Sequence, residues 1–205
     1  MELDLWLADT LVAHTRTPAR GGRLKIVYDD AVAGNWPAET PLLSCSLPTP
    51  GPGEPARSRA FLEGLLPEGS ALAAAAAQVR GVRLVDGAPE SAADAVALLG
   101  EFGRECAGAV VVLPAGHPAP TGGRYEALDE AALGLLVREL PRHPVGADLA
   151  RDVRTSLAGA QPKFLLARIQ DRWYEPVAGA PSTHIVKPTG VWAHSAHNEA
   201  LVLAL

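Results

Sequence analysis

The chain has 205 residues, 48% of them hydrophobic and 20% charged, with a formal net charge of −5. That composition suits a soluble globular protein with one sizeable core or two small ones, and it speaks against a whole-surface attraction to nucleic acid. There is no run of 18 apolar residues, no basic stretch in the opening MELDLWLADT, and no metal-type spacing around Cys45 and Cys106. A membrane span, a secretory signal, a disulfide framework and a zinc site are therefore not expected, and a cytoplasmic location is.

The first element alternates, with Leu3, Leu5 and Leu7 set against Glu2, Asp4 and Trp6, which predicts a half-buried strand. An apolar stretch around Leu11 and Val12 follows, and then RLKIVYDD, with Leu24, Ile26 and Tyr28 on one face. The three together predict a small antiparallel meander. Residues 35 to 55 are dense in Pro, Ser and Gly and read as a surface loop, since proline removes donors and clashes with a preceding helical turn.

Three helices are expected next. SRAFLEGLL places Phe61, Leu62, Leu65 and Leu66 at helical spacing before Pro67. SALAAAAAQVRG has Ser70 as its candidate cap, and SAADAVALLG runs from a Ser91 cap to Gly100 as its candidate terminator. ECAGAVVVLP predicts a strand, with Cys106 as a small buried residue, and HPAPTGG marks a boundary. ALDEAALGLLVREL then carries Leu128, Ala131, Leu135 and Leu136 on one helical face, ended by Pro141 and Pro144. KFLLARI, a turn at residues 170–172, WYEPVAG and STHIVKP read as three extended pieces. In the last of these, His184 alternates with Val186 and is expected to face a core. AHNEALVLAL closes the chain as an apolar helix without a terminal cap, its open face expected to be an interface.

Residues 156–199 hold the candidate chemistry. A SLAGA loop of small residues, whose amides could face an anion, precedes a strand that begins at Lys163. A second lysine, Lys187, ends the later strand, and Glu199 falls in the first turn of the closing helix. The chain has 18 basic residues, of which only Lys25, Lys163 and Lys187 are lysines. A lysine kept amid so many arginines marks a place where a compact ammonium differs from a planar guanidinium. Loop, strand lysine and helix carboxylate in that order follow the logic of a protein-kinase small lobe: the loop covers the phosphates, the lysine neutralises them, and the carboxylate holds the lysine. The loop is neither GxGxxG nor a Walker A motif. Simpler readings stand beside this one: Ser156 as a turn serine, Lys163 as a solvent-facing strand residue, Glu199 as a favourable first-turn acid.

In order along the chain, PLLSCSLP, FLEGLLPEG, GRECAGAVVVLP, SLAGAQPKFLLA, PSTHIVKP and HNEALVLAL resemble the HipA family, the serine/threonine kinase toxins of type II toxin–antitoxin pairs. The resemblance implies an α+β protein. Residues 1–120 would form a small N-terminal strand-and-helix subdomain and 121–150 a connecting helix and linker. Residues 151–205 would be a protein-kinase-like small lobe truncated after its helix.

The same resemblance makes Ser156 the autophosphorylated residue and Ala158, Gly159, Ala160 and Gln161 the phosphate-covering loop. It makes Lys163 and Lys187 nucleotide contacts and Glu199 the lysine partner. It further implies ATP and Mg2+ as cofactors of the intact protein and a HipB-like antitoxin as partner, with DNA contacted only through that antitoxin. The protein substrate would be one such as an aminoacyl-tRNA synthetase, whose modification arrests growth. The family's catalytic and metal-binding aspartates have no counterpart in these residues, so the 205-residue chain is expected to be inactive alone. A non-catalytic binding module or split-system subunit that docks on a separate kinase lobe or antitoxin is the alternative.

Overall fold

A computed structural model describes residues 1–17, 23–104, 106, 110–118, 122–139 and 163–187. Strands β1 (Leu3–Leu7), β2 (Thr10–Arg16), β3 (Lys25–Tyr28) and β6 (Val110–Pro114) form an antiparallel sheet in the order β3-β2-β1-β6. The meander expected from the alternating pattern is present, with β6 added beside β1. Leu3, Leu5, Ala13, Ile26, Tyr28 and Val112 point from one face of this sheet into a core shared with Leu62, Leu72, Leu98, Leu99 and Phe102.

Those last residues come from helices α2 (Pro55–Gly64), α3 (Gly69–Gln78) and α4 (Ala92–Phe102). Helix α4 starts as expected at Ser91, where a reciprocal capping box with Asp94 satisfies two otherwise orphaned amides. It runs past Gly100 and ends at Gly103 instead, because Leu99 and Phe102 are both fully buried and continue the apolar stripe. Helix α3 is headed by Glu68, so Ser70 lies within its first turn and caps nothing. Helix α2 begins earlier than expected, with Pro55 at the position where a missing amide proton costs nothing.

Two further elements were not anticipated. One is a short helix α1 (Asp30–Asn35) capped by Asp29, and the other is a hairpin of β4 (Leu84–Val85) and β5 (Ala88–Pro89). The segment 35–55 is irregular as expected. It is not merely superficial, since Leu47 is 1% exposed and its carbonyl accepts the Tyr28 hydroxyl.

Both edges of this first sheet are closed by the chain itself. On β3, the Ile26 amide donates to Ser58 Oγ at 3.0 Å and the Ile26 carbonyl accepts the Gly53 amide at 2.8 Å. On β6, the Val112 amide donates to the Gly103 carbonyl at 2.7 Å. Covered edges cannot recruit foreign strands. The second closure needs glycine: a Cβ at position 103 would lie 2.4 Å from the Leu99 carbonyl oxygen and 2.7 Å from Val112 Cβ.

The second sheet has the order β10-β8-β9-β7, all antiparallel, from β7 (Arg124–Leu128), β8 (Phe164–Ile169), β9 (Arg172–Val177) and β10 (His184–Val186). Gln170 and Asp171 join β8 to β9 with φ of 49° and 62°, the left-handed pair of a two-residue hairpin turn whose twist matches the strands. Helix α5 (Glu130–Glu139) lays Leu136 on Phe164 and Leu166, flanked by Leu128, Leu133, Val137, Trp173 and Val186. The segment expected as a connection thus contributes β7 and α5 to this sheet. Leu128, expected on the helix, ends β7 opposite Trp173, and Leu135 is exposed. His184, expected in a core, is exposed on the edge strand. Its ring stands edge-on to Trp173 at 5.2 Å and its Nδ1 lies 2.7 Å from Thr183 Oγ1.

No helix among the described residues is long and apolar enough to cross a membrane. Burying a leucine is worth roughly 1.5–3 kcal/mol. Among the described residues the first core holds many such side chains and the second only three buried ones, so most of the packing energy of these residues resides in the first unit. Replacing Gly103 with alanine forces a methyl group between α4 and β6. Urea denaturation should show a loss of about 1–3 kcal/mol, the range for overpacking, and an unchanged midpoint would contradict the closure described.

Candidate nucleotide site

Strand β8 carries apolar residues on both faces. Phe164 and Leu166 lie under α5, while Lys163, Leu165 and Ala167 point to the opposite face, and all five are buried. Strand β10 runs antiparallel to it with Val186 opposite Phe164 and His184 opposite Leu166. Continued by one step, this register sets Lys187 against Lys163, and the charge of Lys187 acts on Lys163. The two lysines therefore occupy neighbouring positions on one face, at the end of the sheet where β8 begins.

Lys163 is 8% exposed, and its pKa is lowered from the ordinary 10.5. Burial is the largest cause and the positive charge of Lys187 the next, opposed by the carboxylate of Glu68 at the head of α3. This reading of Lys163 replaces that of a solvent-facing strand residue. Like charges facing each other across strands cost roughly 0.2–1 kcal/mol, and desolvating an ammonium adds to that. Two positive charges brought to one end of a sheet suit a ligand with more than one negative charge. A polyphosphate has that chemistry, and a compact ammonium serves it as a point charge.

Ser156, Ala158, Gly159, Ala160, Gln161 and Glu199 lie outside the described residues. Of the expected site, the structure thus brings together Lys163 and Lys187. It adds Glu68, whose place in FLEGLLPEG, far off in sequence, gave no sign of a role near these lysines. Among the described residues no group of three or more His, Cys, Asp or Glu could hold a metal ion.

A lysine whose folded pKa is depressed binds fewer protons than it does unfolded, so stability rises with pH between the depressed value and 10.5. Lys163→Met should remove that rise and abolish any stabilisation by added triphosphate. Thermal melts between pH 7 and 10 check both effects, and a variant that keeps the rise, or that triphosphate still stabilises, would contradict this reading of Lys163.

Comparison with known proteins gives three results. The family model described as the HipA N-terminal domain matches residues 3–113. A curated relative from Sinorhizobium fredii, named "Putative kinase Y4mE", is 32% identical over 212 residues, covering 99% of this chain and 47% of its own length. The chain therefore spans about half the length of that relative. Among solved structures, a chain from the Shewanella oneidensis MR-1 toxin–antitoxin complex of HipA, HipB and operator DNA superposes with a TM-score of 0.61. It is 20% identical and is matched over 92% of this chain and 41% of its own. At that identity the likeness concerns the fold.

Proposed function

The chain belongs to the HipA family, and from that premise we propose that the whole protein is a HipA-type toxin kinase that transfers phosphate from ATP to a protein serine or threonine. The observation that carries the nucleotide part is the juxtaposition of Lys163 and Lys187 at the head of β8, immediately after the small-residue segment in sequence. In this reading the two ammonium groups neutralise and orient phosphate oxygens, and the amides of residues 158–161 lie over them. Glu199 holds Lys187 in place. Phosphoryl transfer is catalysed almost entirely by such positioning and charge neutralisation. ATP supplies the phosphoryl group and Mg2+ the divalent charge that screens it. Lysine ammonium groups fit the phosphates. The metal carboxylates and the general base are proposed to come from a further lobe of the whole protein, without which these residues would bind but not transfer.

Ser156 is the proposed autophosphorylation site. A dianionic group there would compete with the nucleotide phosphates for the same amides and ammonium groups and repel them. The kinase name of the Sinorhizobium relative supports the activity. The HipA–HipB–DNA complex of the Shewanella protein supports a HipB-like antitoxin as partner, with DNA reached through it. A translation component such as an aminoacyl-tRNA synthetase is the proposed substrate, consistent with a toxin that arrests growth.

In the full-length protein, Lys187→Ala should weaken ATP·Mg binding by at least about tenfold, the equivalent of about 1.4 kcal/mol. Titration calorimetry that gives an unchanged affinity would remove Lys187 from the site. Ser156→Ala should abolish the phosphorylated species in mass spectrometry after incubation with ATP. A phosphate that persists on another residue would show that the switch lies elsewhere.

A further inference from the structure

His14, in β2, has a carboxylate at each ring nitrogen. Nδ1 is 2.7 Å from Asp4 Oδ1 on β1, and Nε2 is 3.1 Å from Oδ2 of Asp29, the cap of α1. Asp4 is fixed from a third side, since its Oδ2 accepts the Gly116 amide at 2.9 Å just beyond β6. Asp29 accepts the Ala31 amide at 2.9 Å and is the more open of the two, with a side chain 28% exposed against 9% for Asp4.

A neutral imidazole has one N–H and one lone pair. It can serve one of these carboxylates, but it then turns its lone pair on the other at hydrogen-bonding distance. Only the imidazolium donates to both. Among the described residues, other charged groups lie on the same strands and at the helix head. Glu2 precedes Asp4 on the first strand, Arg16 follows on β2, Lys25 lies opposite Arg16 on β3, and Asp30 adjoins Asp29 at the head of α1. Strand β6 contributes Leu113 opposite Asp4, with no charge. Once His14 is neutral, Asp29 loses that donor, while the positive charge of Arg16 still acts on it.

We propose that His14 is a proton-operated latch: protonated, it clips the head of α1 to the sheet through Asp29, and neutral, it keeps its Nδ1–H on Asp4 and lets Asp29 go. The Asp4 bond is the one that survives because it is shorter and better shielded, and its acceptor is already anchored by Gly116. The electrostatic surroundings of His14 act in the same direction. Burial by itself lowers the His14 pKa, but the hydrogen bonds and charges of Asp4 and Asp29 outweigh it and carry the group above 6.5. A raised folded pKa means that the stabilisation is complete below 6.5 and is lost as pH rises through the folded value. Above it, the Asp29 amide still donates to the Val12 carbonyl at 3.0 Å, so the helix head remains in reach and the latch closes again on acidification.

The test is a 15N NMR titration of the His14 ring in the full chain, combined with hydrogen exchange of α1. The midpoint should lie above 6.5, the neutral form should be protonated at Nδ1, and the Ala31 amide resonance should move with the same midpoint. After correction for intrinsic base catalysis, exchange across residues 30–35 should quicken above that midpoint. In His14→Gln, which keeps a donor but no titration, this pH dependence should vanish. A midpoint at or below 6.5, a neutral form protonated at Nε2, or α1 exchange indifferent to the titration would overturn the proposal. The wild-type titration decides alone if the variant does not fold.

Discussion

Two ammonium groups at neighbouring positions, Lys163 just before β8 and Lys187 just after β10, set the electrostatic character of the sheet end where β8 begins. The antiparallel register places Lys187 one step beyond the Val186–Phe164 pair and so beside Lys163. Burial and mutual repulsion both press Lys163 toward losing its proton. The negative charge of a polyphosphate would offset both effects at once, which is why the pair is more informative than either lysine alone. Arginine dominates the basic residues of this chain, so two lysines at one sheet end are also compositionally uncommon.

The surrounding structure keeps that end of the sheet in place. Helix α5 packs Leu136 against Phe164 and Leu166, which fixes the face of β8 that the lysines do not use. The left-handed turn at Gln170–Asp171 sets the β8–β9 register, and a slip of one residue there would send Lys163 to the α5 side. The first unit contributes differently. Its larger core stabilises it, its sheet edges are sealed by Ser58, Gly53 and Gly103, and Glu68 at the head of α3 extends its field to Lys163.

Much of this was legible wherever a local pattern decides the structure. Alternation alone located β1 and β3, and the Ser91 cap announced α4, because each signal acts within one or two turns of chain. Leu128 was misread since it precedes a helical apolar stripe by one turn and fits its spacing, yet cross-strand pairing with Trp173 claims it for β7. The β4–β5 hairpin did carry a readable signal, Asp86-Gly87, whose φ values of 51° and 77° are those such a dipeptide favours. His184 followed a correct alternation to a wrong environment, because alternation gives the face of a strand but not whether that strand lies at an edge.

The candidate residues were legible by kind and not by arrangement. Lys163 and Lys187 stood out by scarcity and position, but only strand pairing makes them neighbours. The link between Asp4, His14 and Asp29 joins three elements, and nothing local in the sequence predicts it. Glu68 is of the same type, an acid in a helix-head segment whose effect is felt in another unit.

The central claim is that the two lysines share one polyphosphate, and a crystal structure of the whole protein with a non-hydrolysable ATP analogue and Mg2+ tests it most directly. The account predicts both Nζ atoms within about 2.7–3.2 Å of phosphate oxygens, the range for charge-assisted hydrogen bonds. A triphosphate bound elsewhere, with Lys163 and Lys187 paired only to protein carboxylates, would contradict it.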